Sequence, residues 1–397
     1  MGRFFENEMH DEFAGWLLGY TATGGPDVGV LTAVAAAVGK GGDDAFHTAW
    51  IAAGDRLLAE AGATSHQASR CRLTLWASAC YATSYHPLYG APVDPRLTAA
   101  FRKQIAAFDA GLALLPVPVE PLRIPFEGQT LPAYFLPAEG DDGSRRPLLV
   151  CTNGYDATVT EVYFACAVPA SRRGFHCLFF DGPGQGEMLI ERGVPMRPDW
   201  ETVIRPVVDF ALTLPNVDPS RIGLYGWSLG GYLALRGASG EPRLAACIAD
   251  PGLRAVLTRN DLPHLEMSAI EAASPGSVTE KAVKALLEAN PQMHWALVQR
   301  GLWVHGVKSL GEYAEAALAM TLEGRVDAIR CPTLLTMAES DFRSKTAENL
   351  FAELTCPKTL MRFTAAEGAG DHCEMPNRSL ATLRMFDWLA ETLHLDG

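Results

Sequence analysis

No basic run followed by an apolar stretch opens this chain, where MGRFFENEMHDEF is already acidic, so the layout of a secretory leader is missing. Nor is there an uninterrupted apolar run of the roughly 20 residues that a membrane helix needs. A soluble, cytoplasmic protein is the expectation. Positive charge is scarce. Lys+Arg 33 against Asp+Glu 46 leaves a formal net charge of -13 over 397 residues. That surplus opposes the attraction to phosphate on which non-specific nucleic-acid and anionic-membrane binding depends. A small-molecule substrate is therefore expected, with neither nucleic acid nor membrane as partner.

Cysteine pairs at metal or redox spacing are also lacking. Cys71, Cys80, Cys151, Cys166, Cys177, Cys247, Cys331, Cys356 and Cys373 form no C-x-x-C, and several lie in apolar segments. They read as buried, reduced thiols. There is no H-E-x-x-H and no clustered set of His, Cys and acid, so no metal is expected. AVAAAVGKGGDD fails as a phosphate loop because Lys40 is followed by Gly41 instead of Ser or Thr. FDGPGQGEM fails as a dinucleotide fingerprint because Gly184-x-Gly186 runs into Glu187, Met188 and Leu189 without a third glycine.

What is present is ordinary globular composition, 48% hydrophobic and 20% charged, in a chain long enough for a catalytic core plus an added module. Residues 1–115 read as a helical module. In AFHTAWIAAGDRLLAEAG, Phe46, Trp50, Leu57 and Leu58 fall at mostly helical spacing, and Gly62 stands where the helix would stop. The cluster Trp76, Tyr81, Tyr85, His86 and Tyr89 reads as a helix-packing face or as the lining of a pocket. A Pro-dense boundary follows, within which VEPLRIPFEGQTLPAYFLP reads as two short strands around Glu127-Gly128.

Beyond it, PLLVCTN, HCLFFD, IGLYGWS, LAACIAD and CPTLLTMAES are apolar runs of strand length separated by helical stretches or loops. That alternation predicts an α/β architecture, a mostly parallel sheet with helices on both faces. Between Gly252 and about Asp327 the strands stop and helical stretches take over, an insertion expected to lie over the sheet as a lid. The expected division is a helical module over 1–115, core over 116–255, helical lid over 256–326 and core again over 327–397.

The strongest chemical signal is Gly226-Trp227-Ser228-Leu229-Gly230-Gly231, lying between the apolar run RIGLY and a helix-like YLALRGA. A serine on a tight strand-to-helix turn sits in strained backbone, and flanking glycines remove the Cβ atoms that would collide there. A serine hydroxyl is a weak nucleophile, so a base and an orienting acid must follow in the order Ser, acid, His. The strand TLLTMAES is followed by Asp341, with Glu339 as the fallback, and AAEGAGDHCEM carries His372 in a Gly-rich loop before the last helix. His176 falls in a predicted strand, while His264, His294 and His305 belong to the insertion, where packing or surface roles are expected ahead of substrate contact.

In CTNGYDAT, the backbone N–H of Tyr155 is expected to pair with that of Leu229 as an oxyanion hole. Asp156 reads equally as a turn or helix N-cap residue and as an acid on the pocket rim. Tyr85, His86, Trp303 and Tyr313 are candidates for the substrate lining.

NGYDAT, FFDGPGQGEM, YGWSLGGYLALR, EPRLAACIAD and GAGDHCE together resemble the α/β-hydrolase superfamily. More narrowly, they resemble the group containing 2,6-dihydroxypseudooxynicotine hydrolase and the fungal hydrolases that shorten aromatic polyketides. The resemblance implies cleavage of a carbon-carbon bond next to a ketone, without metal or organic cofactor, by a triad at Ser228, Asp341 and His372. It also implies a homodimer, and a family glutamate active in substrate handling falls at Asp156, one methylene shorter. Two other readings remain open: an ester, amide or acylaminoacyl-peptide hydrolase with the same triad, and a catalytically dead relative used as a ligand receptor.

Overall fold

The computed structural model describes residues 3–257 and 276–395. His264 and the neighbouring part of the insertion lie outside the described residues. Two units are distinguished. Among the described residues one is formed by 3–120, 189–195 and 276–315, the other by 121–188, 196–257 and 316–395.

The first unit is helical, with long helices at Asp43–Ala63, Gln67–Ser84 and Pro95–Leu112. Phe46, Trp50 and Leu57 are buried on one stripe of the first of these, as their spacing requires. That helix ends at Ala63, one residue past Gly62, and Thr64 caps it in extended conformation. The described helices of the insertion belong to this same unit as far as Glu315. Trp295 Nε1 donates to the His86 carbonyl oxygen at 2.8 Å, and the Tyr89 ring lies 5.6 Å from Trp295 and 5.0 Å from Trp303.

In the second unit eight strands form one sheet, β1 (Pro121–Phe126), β2 (Gln129–Leu136), β3 (Arg146–Thr152), β4 (His176–Phe180), β5 (Val217–Trp227), β6 (Ala246–Asp250), β7 (Thr333–Ala338) and β8 (Lys358–Phe363). Their order is β1-β2-β4-β3-β5-β6-β7-β8, antiparallel across β1-β2 and β2-β4 and parallel from β4 to β8. Glu127 and Gly128 both take positive φ between β1 and β2, the backbone that a two-residue hairpin turn demands.

β4 is buried at every position, as a strand covered on both faces must be. The two covers can be read from consecutive residues of β5. A Cβ on Gly223 would meet Leu389 of the helix Arg378–Thr392 and Leu393, which caps it, while a Cβ on Gly237 of the helix Gly230–Ala238 would meet Leu224. Neighbouring strand residues face opposite sides, so these helices cover opposite faces. β8 had no signal in the sequence reading. KTLMRF is a half-exposed edge strand whose Lys358, Thr359 and Arg362 break the apolar run.

The sheet order reverses at β3 and β5. β3 leads on to β4 on one side and β5 to β6 on the other, so the loops leaving their carboxyl ends part and open a crevice. No helix of the described residues is long and apolar enough to cross a membrane.

Candidate active site

Ser228 follows β5 directly and takes φ +60, a left-handed conformation that a non-glycine residue holds only under constraint. The constraint is steric and polar together. A Cβ on Gly226 would lie 1.8 Å from the Gly230 carbonyl oxygen, and one on Gly231 would lie 2.0 Å from that of Pro251. The Ser228 N–H donates to the Asp250 carbonyl oxygen at 2.6 Å, and the Gly231 N–H to the Ser228 carbonyl oxygen at 2.9 Å. The helix Gly230–Ala238 begins at once, so its first N–H groups, that of Leu229 among them, are left without intrahelical acceptors.

His372 Nε2 lies 2.8 Å from Ser228 Oγ, and His372 Nδ1 lies 2.6 Å from Asp341 Oδ2. Segments 144 and 31 residues apart thus meet in one chain of hydrogen bonds. Asp341 sits just past β7 at 4% exposure, and its Oδ1 accepts the Arg343 N–H at 3.0 Å. Burial works against its charge, but the hydrogen bond and the charge of His372 outweigh that and hold the carboxyl below its ordinary value. The loop carrying His372 is tied to the end of β7, where the Ser340 N–H donates to the Gly370 carbonyl oxygen at 2.8 Å. Glu339, the alternative acid, accepts the Ala365 N–H instead.

The loop after β3 passes beside the serine: a Cβ on Gly154 would lie 2.9 Å from Ser228 Cβ and 3.5 Å from its Oγ. Tyr155 and Asp156 follow, both half-buried. The cap of the next helical turn is Thr158, in a capping box with Glu161, so the N-cap alternative for Asp156 does not hold.

The candidate lining residues lie in the helical unit. Tyr85 is fully buried and its hydroxyl donates to Gln104 Oε1 at 2.7 Å. His86 is half-buried and stacks on Phe13 at 5.3 Å. Trp303 and Tyr313 are buried, the latter edge-on to His305 at 5.4 Å. Trp76 and Tyr81 are engaged elsewhere, with Trp76 Nε1 donating to Gly24 O and the Tyr81 hydroxyl to Asp55. His176 is a core strand residue whose Nδ1 accepts the Ala138 N–H. All nine cysteines are free, and only Cys356 is not buried.

Sequence reading missed a buried polar cluster behind the serine and histidine. Asp250 Oδ2 accepts from Arg378 Nη1 at 2.6 Å and from the Tyr225 hydroxyl at 2.7 Å, and Oδ1 accepts from Thr336 at 2.9 Å. Arg378 Nη1 also donates to the Cys373 carbonyl oxygen at 3.0 Å and lies 3.6 Å from Glu374. Burial opposes charge on Asp250, but Arg378 and Tyr225 hold it below the usual carboxylate range; burial and then the Asp250 charge push Glu374 well above it. The available signal was the two acids ending LAACIAD and GDHCE, which no local pattern pairs.

Residues 148–383 match the family model described as "Alpha/beta hydrolase family". The chain is 31% identical to the 20-hydroxy-prefusarin hydrolase FUS2 of Gibberella moniliformis, covering 95% of this chain and 94% of that protein. It is 30% identical to hydrolase acrC of Aspergillus aculeatus, over 100% and 99% of the two chains. Among solved structures, that of 2,6-dihydroxy-pseudo-oxynicotine hydrolase superposes with a TM-score of 0.73 at 24% identity, covering 94% of this chain and 95% of the other.

Proposed function

Since this chain belongs to the α/β-hydrolase family, we propose that it is a serine hydrolase cleaving a carbon-carbon bond next to a ketone, in a β-diketone or an acyl group on a hydroxylated ring. The observation that carries the nucleophilic part is the relay from Ser228 Oγ through His372 to Asp341, at 2.8 and 2.6 Å. His372 takes the Ser228 proton as Oγ attacks the ketone carbonyl, and Asp341 fixes the imidazole and stabilises the imidazolium. The N–H groups of Tyr155 and Leu229 receive the oxyanion.

Collapse of the tetrahedral adduct expels carbon, a poor leaving group unless its charge is delocalised or it is protonated on departure. An acidic ring or a β-carbonyl meets the first condition. The imidazolium of His372 meets the second by passing on the proton it took from Ser228, with Asp156 next to Tyr155 placed to steer that proton toward the departing carbon. Water, deprotonated by His372, then releases the acyl group from Ser228. The choice of carbon over ester cleavage follows from the family likeness carried by FDGPGQGEM and by the Ser-Leu-Gly-Gly elbow followed by EPRLAACI, and from an acid at position 156. The same reading takes the protein as a cytoplasmic homodimer, which light scattering after size exclusion tests.

Ser228→Ala is expected to abolish turnover while ligand binding persists; retained turnover would falsify the nucleophile assignment. Assays on aryl esters and on acyl-resorcinol ketones separate the bond types. A strong preference for unactivated esters together with indifference to Asp156→Ala overturns carbon-carbon cleavage in favour of an esterase.

A further inference from the structure

FDGPGQGEM is neither a nucleotide loop nor part of the Ser228 relay, yet two of its polar side chains, Asp181 and Gln185, are fully buried. Gln185 is 1% exposed and Asp181 0%. Gln185 Nε2 donates to two carbonyl oxygens of the loop after β3, to that of Asn153 at 2.9 Å and to that of Gly154 at 3.0 Å. Its Oε1 accepts the Gly182 N–H at 2.9 Å, which fixes which end of the amide faces the carbonyls.

The Gly154 carbonyl and the Tyr155 N–H are the two ends of one planar trans peptide unit. Holding the oxygen therefore sets the direction of the N–H. We infer that Gln185 is a positioning residue for the oxyanion donor: by clamping the Asn153 and Gly154 carbonyls it fixes the peptide plane whose far end is the Tyr155 N–H. This rests on the reading of Tyr155 as an oxyanion donor.

The rest of the loop is braced in the same way. Asn153 Oδ1 accepts the Gly154 N–H at 2.8 Å, while its Nδ2 donates to the Ala157 carbonyl at 2.6 Å and to Asp181 Oδ1 at 3.1 Å. Asp181 is seated so closely on Gly186 that a Cβ there would lie 1.8 Å from Oδ2, which accounts for the glycine after Gln185. The residue type is also specified. Two donor hydrogens and one acceptor oxygen match two carbonyls and one N–H, whereas a glutamate would set a carboxylate against two carbonyl oxygens.

An oxyanion donor is worth about 10²–10³ in rate, and a misplaced one loses much of that. Gln185→Leu, which removes both polar ends, and Gln185→Glu, which keeps the acceptor for Gly182, are expected to lower kcat about 10- to 100-fold with KM little changed. Both are expected to weaken binding of phenylboronic acid, a tetrahedral mimic on Ser228, by a similar factor. In protein labelled with 15N-tyrosine, the Tyr155 amide signal, assigned through Tyr155→Phe, should move when the boronate binds and move much less in the Gln185 variants.

If the unmodified protein binds the boronate but its Tyr155 signal does not move, the donor assignment fails. If that signal moves equally in both proteins and Gln185→Glu keeps full kcat, the positioning role is overturned while the donor assignment stands. Gln185→Glu alone decides the point should Gln185→Leu fail to fold.

Discussion

The backbone N–H of Ser228 donates to the carbonyl oxygen of Asp250 at 2.6 Å, while the side chain of the same aspartate is held by Arg378, six residues beyond His372. One buried residue at the end of β6 thereby links the serine turn to the histidine loop. Cys373 and Glu374, which complete that link, both take positive φ, a strained backbone that persists only when its surroundings hold it. Removing the cation by Arg378→Met leaves a buried acid uncompensated. A loss of about 3–5 kcal/mol is expected, read as a lower urea midpoint with an unchanged slope.

Glu374 gives this cluster a pH signature. Its carboxyl is raised above the ordinary 4.5, so above that pH the folded state binds a proton that the unfolded state has released. Its contribution is full at low pH and is lost as pH rises toward the folded value, with a slope of up to about 1.4 kcal/mol per unit. The Glu374→Gln variant carries no such slope, so its Tm relative to the unmodified protein should climb from pH 5 to pH 8. A difference that stays flat across that range would mean that Glu374 is ionised in the fold.

Asp181 behaves alike on the other side of the serine. Burial raises it from 3.8 to about 8, against the hydrogen bond from Asn153, with Glu161 and Glu187 adding to the rise. It is protonated in the fold at neutral pH, and stability is lost between pH 3.8 and about 8. Asp181→Asn removes that dependence while keeping an oxygen for Asn153. Chemical denaturation at pH 5 and pH 8 should show the variant gaining relative stability at the higher pH.

Asp341 has the opposite sign. Its carboxyl lies below 3.8, so the hydrogen bond it accepts from His372 stabilises the fold above that value and the benefit disappears as pH falls through the folded one. Asp341→Asn keeps the shape, and leaves the imidazole in the wrong tautomer. The expected cost is about 10⁴-fold in kcat with secondary structure unchanged by circular dichroism; a loss below about tenfold would shift the orienting role to another acid.

Gly226→Ala tests the turn itself. The added Cβ meets the backbone of Gly230, which no side-chain movement relieves, so the serine turn must shift. Labelling of Ser228 by a fluorophosphonate should fall well before global stability does, and undiminished labelling would show that the turn tolerates the methyl group.

Much of this molecule is set by short stretches of chain. The burial of PLLVCTN, HCLFFD and LAACIAD on both faces calls for a covered parallel sheet, and Gly226-x-Ser228-x-Gly230 builds its turn from sterics within a few residues. The order Ser228, Asp341, His372 is likewise readable, because each falls at a strand end or in a glycine-rich loop. β8 was invisible because an edge strand needs no continuous apolar run.

Other features exist only once the chain is folded. Gln185 meets the carbonyls of Asn153 and Gly154 across about thirty residues, and Asp250 meets Arg378 across 128. Which carboxyl keeps its proton, Glu374 or Asp250, depends on how far each is from water and from one guanidinium. Local pattern carries apolar periodicity and turn sterics; distance between remote polar groups, and the desolvation that decides their charge, is settled by the packed tertiary structure alone.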